Sequence, residues 1–108
     1  MRWRVEVLNK AVVGEIEAWP HEVRAALAKI VERIESVGLT AVHEPHVKHV
    51  QGKLWEMRPS AVGNDGRALY VTASGRRVII VAAFMKKTGK TPARMIQMAL
   101  DRAKGINE

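Results

Sequence analysis

Holding a phosphate needs fixed cations, and this chain concentrates them in its second half. Lys86, Lys87 and Lys90 surround Thr88, Gly89 and Thr91, just ahead of an expected helix. Backbone amides at a helix N-terminus, with the helix dipole, favour an anion. A phosphate contact is therefore expected there, with a solvated basic loop as the alternative. Arg58 and Arg67 suit the same task, because a guanidinium grips two phosphate oxygens and stays protonated. Lys53 is a further candidate contact. Glu56 lies two residues before Arg58, so on a strand both share one face, expected to be exposed. A carboxylate there is a candidate proton acceptor; a surface ion pair is the competing reading. Lys86 or Lys87, with its pKa lowered by neighbouring cations, is the other candidate proton carrier. Tyr70 is a candidate base-stacking residue or a half-buried strand tyrosine. His43, His46 and His49 are spaced by three, which aligns ligands only on a helix, and Pro45 opposes a helix there. No metal or other cofactor is expected. His49, nearest the following strand, is the best acid–base candidate of the three.

These residues need a scaffold, and the hydrophobic pattern supplies one. Leu54–Arg58, Ala68–Thr72 and Val78–Phe84 are short apolar or alternating runs. Asn64-Asp65-Gly66 and Ser74-Gly75 read as the turns between them, giving an antiparallel meander. Within it, Trp55 and Met57 are expected in the core. Strict alternation puts Arg67 on the face of Leu69 and Val71, so Arg67 is expected to precede its strand or to be turned by a bulge. Trp3, Val5 and Val7 alternate as a first strand. Pro20 opens a helix whose stripe is Val23, Ala26, Leu27, Ile30, Val31, Ile34 and Val37, ending at Gly38. Gly14 interrupts the apolar residues between Asn9 and Trp19, and no element is assigned there. Leu39 to Gly52 reads as a polar connector. A second helix is expected after Thr91 as N-cap and Pro92, with Met95, Ile96, Ala99, Leu100 and Ala103 on one side. Strand, helix, three strands, helix is an α+β order.

The 108 residues suffice for one domain, 1–108. A hydrophobic share of 47% supports a core, and a net charge of +7 favours an anionic partner, nucleic acid first among them. The absence of cysteine removes disulfides, thiolate nucleophiles and Cys-based zinc sites. The N-terminus is too polar for a signal peptide, and no apolar run approaches a membrane span. A cytoplasmic protein without membrane partners is expected.

The runs KxLWEMR, GRALYV and RVIIVAAFMKKTGKTP, from Lys53 to Pro92, resemble the RelE/HigB group of bacterial toxins, most closely its phage-derived HigB-like branch. The resemblance implies a microbial ribonuclease fold: a small, twisted, mainly antiparallel sheet of about four strands packed by two main helices. It implies a toxin that cleaves messenger RNA on the ribosome, and an antitoxin partner, often with a helix-turn-helix. By pattern, Glu56 and Arg58 occupy the places of two lysines in a RelE-type site. Arg67 matches an arginine opening the next strand, and Lys86 and Lys87 match a closing basic pair. Glu56 departs from the pattern because it is acidic. So does the C-terminal helix, which lacks the family's tyrosine, since no aromatic follows Phe84.

Metal-free RNA cleavage by the 2′-hydroxyl needs a base, a cation on the phosphate and an acid. Glu56, Arg58, Arg67 and Lys87 are the catalytic candidates. Lys53, Tyr70, Lys86, Lys90 and Thr91 are the RNA-binding candidates. Two other functions fit the same resemblance. One is a ParE-like DNA gyrase inhibitor, against which the retained cations argue. The other is a non-catalytic module that binds nucleic acid or protein.

Overall fold

The computed structural model describes residues 2–87 and 89–106. The chain runs β1 (Arg4–Val7), α1 (Lys10–Glu17), α2 (His21–Val37), a 3-10 turn (Leu39–Ala41), β2 (Val47–Gln51), β3 (Leu54–Met57), β4 (Ser60–Ala61), β5 (Asn64–Ala73), β6 (Arg77–Met85) and α3 (Ala93–Ala103). The sheet order is β1-β6-β5-β3-β2, with β4 paired to the start of β5. This is the expected α+β architecture, with six strands among the described residues rather than about four. The pairs are antiparallel except β1 with β6, which is parallel.

β5 and β6 are buried at nearly every position from Gly66 to Val71 and from Val78 to Ala83. Such continuous apolar runs suit strands covered on both faces. On one face Val12 of α1, then Trp19, then Val23, Leu27, Ile30 and Ile34 of α2 pack against Met57, Ala68, Tyr70, Val78, Ile80 and Ala83. On the other, Met95, Ala99 and Ala103 of α3 cover Leu54, Leu69, Val71, Ile79 and Val81. The sheet is thus the middle of three layers.

Four expectations change. The polar connector contains β2, whose weak apolar alternation (Val47, Val50) hides an edge strand paired to β3. The stretch from Asn9 to Trp19 contains α1. Asn9 caps it, its side-chain oxygen accepting from the Val12 amide at 3.1 Å, and Gly14 is tolerated on the helix's open side. Asn64-Asp65-Gly66 is not a turn but the start of β5. The chain reverses one step earlier, at Val62 and Gly63, both with positive φ. Gly66 serves close packing: a Cβ there would lie 2.9 Å from both the Trp19 ring and Val23. Finally, Pro92 rather than Thr91 precedes α3, and among the described residues no side chain caps it. The Ser74-Gly75 turn and the Gly38 terminus of α2 lie where the sequence put them.

A bulge and a clasp shape the β6 edge. The β5–β6 register slips between Leu69 and Tyr70, leaving Val81 as the extra residue. β1 leaves at Ile80, so beyond it β6 is an open edge. Glu15 of α1 accepts from the Ala83 amide at 3.0 Å, and Arg102 of α3 donates to the Val81 carbonyl at 3.0 Å. The same two side chains pair bidentately at 2.8 and 3.1 Å. One ion pair thereby ties the two outer layers together and satisfies an exposed edge. Arg102→Ala is expected to destabilise the fold by about 1.5–3 kcal/mol, read as a lowered denaturant midpoint; an unchanged midpoint would show that water replaces the clasp at no cost.

Candidate RNA-binding pocket

Register brings the candidate side chains to one place. Lys48 of β2 is opposite Glu56 of β3, and Glu56 is opposite Leu69 of β5. Arg67 lies two residues before Leu69 and so points to the same face, the one covered by α3. Lys86 continues the β5–β6 ladder, its amide donating to the Asp65 carbonyl at 2.8 Å. A pocket of about 230 Å³ opens where this row meets the loop before α3. Glu56, Arg58, Arg67, Lys86, Gly89, Lys90 and Thr91 line it, with Lys48, His49, Val50 and Ile96 completing the wall. Among the described residues, five cations, Lys48, Arg58, Arg67, Lys86 and Lys90, face one carboxylate, a balance suited to a polyanion.

At the centre is Glu56, and its setting corrects the expectation of an exposed face: it is only 5% exposed. One carboxylate oxygen, Oε1, accepts from the Thr91 hydroxyl at 2.8 Å. The other, Oε2, lies 3.4 Å from Arg58 Nε and 3.5 Å from Arg67 Nε. Arg67 is 4% exposed, within β5 and on its core face, neither ahead of the strand nor turned by a bulge. Alternation was right, and the carboxylate in the same layer is what makes a buried guanidinium tolerable. Arg67 Nη1 also donates to the Gly66 carbonyl at 2.7 Å. Burial, then repulsion from Arg58, holds the Arg67 pKa below its ordinary value, while Glu56 and Asp65 oppose that shift.

Other candidates part from this cluster. Thr91 spends its donor on Glu56, so it positions the carboxylate rather than offering that proton to a phosphate. Lys87 is exposed and does not line the pocket; Lys86 does. Lys53 is exposed in the β2–β3 turn, also away from the lining. Thr88 lies outside the described residues. Arg77, not a candidate for the site, lies at the opposite hairpin end and is held by Glu6 of β1 at 2.9 and 3.1 Å.

Tyr70 is not available for stacking: its side chain is 1% exposed on the α2 face, opposite the pocket. Burial pushes its pKa up to about 12. It is the chain's single tyrosine, so alkaline titration reads it directly. Tyrosinate absorbance is expected near pH 12 in the folded protein. The unfolded chain ionises first, near its ordinary value of about 10. Stability from this group is therefore complete below about pH 10 and lost as pH rises toward about 12. Titration near pH 10 in folded protein would contradict this burial.

The three histidines separate. His43, His46 and His49 border three different pockets, and among the described residues no cluster of His, Asp and Glu could hold a metal. Of the three, His49 alone borders the cationic pocket, but its register partner is Trp55, so its ring lies on the face away from Glu56. Its Nε2 is 2.6 Å from the Gly52 carbonyl, and its ring stands edge-on to Trp55, centroids 5.1 Å apart. A carbonyl only accepts, so Nε2 carries hydrogen and the neutral ring keeps its lone pair on Nδ1. Trp55, expected in the core, is 39% exposed because β2 and β3 form the thin end of the sheet. Sequence reasoning passed over Lys48, whose signal was its place in an unrecognised strand.

With this geometry in view, comparisons with known proteins give a consistent result. The family described as phage derived protein Gp49-like (DUF891) matches residues 14–104. The probable endoribonuclease HigB1 of Mycobacterium tuberculosis, in strains CDC 1551 and H37Rv, is 32% identical over 90 residues, covering 83% of this chain and 69% of the relative. Among solved structures, a doubly substituted E. coli RelE toxin in the free state superposes with a TM-score of 0.67 at 13% identity, covering 94% of this chain and 98% of that one. The RelE–RelB complex of Pyrococcus horikoshii OT3 superposes at 0.57 with 19% identity, covering 84% and 100%. These two likenesses establish a RelE-like fold. Among the described residues, no helix is long and apolar enough to cross a membrane.

Proposed function

The chain belongs to the phage-derived Gp49-like family, with HigB-type relatives and the RelE fold, and on that premise we propose that it is the toxin of a type II toxin–antitoxin pair: a metal-independent endoribonuclease that cuts messenger RNA on the ribosome. The observation that carries this reading is the pairing of Arg58 and Arg67 on one buried carboxylate at the wall of a cationic pocket. Two guanidiniums held at fixed positions are preorganised for the charge that develops on a phosphate under attack.

The reaction balances within the RNA. The 2′-oxygen forms a bond to phosphorus, the bond to the 5′-oxygen of the next nucleotide breaks, and the products are a 2′,3′-cyclic phosphate and a 5′-hydroxyl. Arg58 and Arg67 hold the phosphate oxygens, with Lys86 and Lys90 on the flanking backbone. Glu56 has both oxygens engaged, so its part is to fix the guanidiniums rather than to take the hydroxyl proton. The 2′-hydroxyl proton passes to water and the leaving 5′-oxygen takes one up from water, while the fixed cations stabilise the charge on the phosphate between them. A buried Glu56 at this place makes the departure from the family's lysines intelligible: here the strand supplies an anchor, and the neighbouring strands supply the cations. The ribosome orders the message in the pocket, and the partner that restrains the toxin is an antitoxin, as RelB accompanies RelE in the archaeal complex.

The test is controlled expression with mapping of RNA 5′ ends, together with purified protein, ribosomes and message in the presence of a chelator. Cuts that survive chelation and leave 5′-hydroxyl ends are expected. Trapped DNA breaks without RNA cuts would instead favour the gyrase reading, and salt-sensitive RNA binding without products would favour the non-catalytic module.

A further inference from the structure

A second pocket, of about 490 Å³, lies on the opposite side of Arg58, between α2 and the segment around β4. Its lining includes the buried Ile30, Val42 and Pro59 and the small side chains Ala25, Ala26 and Ala61. Cations border it: Lys29 and Arg33, one turn apart on the exposed side of α2, and Arg58 across from them. Among the described residues, Glu22 is the one acid in the lining. Among the described residues neither Lys29 nor Arg33 makes an ion pair. An apolar floor with unpaired cations on its rim complements an acidic segment with apolar anchors.

Among the described residues, Arg58 is the one that lines both this groove and the cationic pocket. Its Nε is buried without a hydrogen-bond partner, 3.4 Å from the Glu56 carboxylate. That N–H is held by charge alone, so a better-placed acceptor on the groove side can capture it.

We propose that this groove seats an acidic, apolar-anchored segment of the antitoxin, and that a carboxylate of that segment draws Arg58 away from Glu56 and the phosphate site. The proposal rests on the reading of the chain as the toxin of a pair. It makes inhibition a competition for one guanidinium rather than a plug in the pocket. Linkage then requires the two ligands to weaken each other equally.

The experiment uses the full-length protein, the antitoxin encoded beside it, overlapping peptides of that antitoxin, and a labelled 2′-O-methyl RNA that cannot be cut. Affinities are read by fluorescence anisotropy for the natural chain, for Lys29→Glu with Arg33→Glu, and for Ala26→Trp, which fills the groove. Circular dichroism checks each fold. One acidic, apolar peptide is expected to bind, with affinity falling about tenfold or more in both variants, and its binding is expected to weaken the RNA complex by the same factor that RNA weakens the peptide. The free double variant should still cut RNA, because Lys29 and Arg33 lie outside the cationic pocket. Antitoxin binding that is absent, indifferent to both variants, or without effect on RNA affinity overturns the proposal. Cleavage by free protein is measured separately, so loss of the docking reading leaves the nuclease reading standing, and the reverse.

Discussion

Replacing Arg58 with alanine is expected to lower RNA cleavage about 10²–10³-fold, the usual loss when one preorganised donor to a developing anion is removed. The fold should survive. Arg58 is 26% exposed at its side chain, and Glu56 keeps Arg67 and Thr91 when it goes. Arg58→Lys restores the charge but not the two-pronged grip, so recovery should be partial. Binding of an uncleavable RNA gives an independent readout. One lost phosphate contact should lower the slope of log affinity against log salt by about 0.7 for a single strand. Full activity in Arg58→Ala, on ribosome-bound message, would remove the guanidinium pair from the mechanism and with it the case for this pocket.

Much of this site was legible because strand alternation is a rigid rule. Glu56 and Arg58 had to share a face, and Arg67 had to share one with Leu69 and Val71. What the pattern could not supply was the layer above. A strand run looks half-exposed until a second helix layer covers its other face, and α3 buries Glu56 and Arg67 together. A buried carboxylate and a buried guanidinium each look misplaced alone; only the β3–β5 register shows that they meet. Tyr70 failed for the same reason in reverse, since its face belongs to α2. The missed elements were those with weak local signals. α1 carries a central glycine and depends on Asn9 for its cap, and β2 is an edge strand with two valines. Lys48 was lost with β2. Lys86 and Lys87 differ by one residue, and only the ladder to Asp65 shows which of them turns to the pocket.

Glu56→Ala should cost about 3–5 kcal/mol of stability, because it leaves Arg67 as a buried cation without its carboxylate. The Gly66 carbonyl would then be the one hydrogen-bond acceptor among the described residues that Arg67 retains. The informative variant removes both charges. Glu56→Leu with Arg67→Met replaces a buried pair by apolar side chains of similar reach, a change that is often neutral or stabilising. Its denaturant midpoint should return close to that of the natural chain, giving a strongly non-additive double-mutant cycle. Cleavage should stay absent, because neither the second guanidinium nor the anchor that aims Arg58 remains. Thermodynamics would then argue for removing the pair and chemistry for keeping it, which is the pattern of a site whose charges are maintained for function. A double variant that is stable and still cuts RNA would make Glu56 and Arg67 structural, and the phosphate would have to be held by Arg58 and the lysines alone.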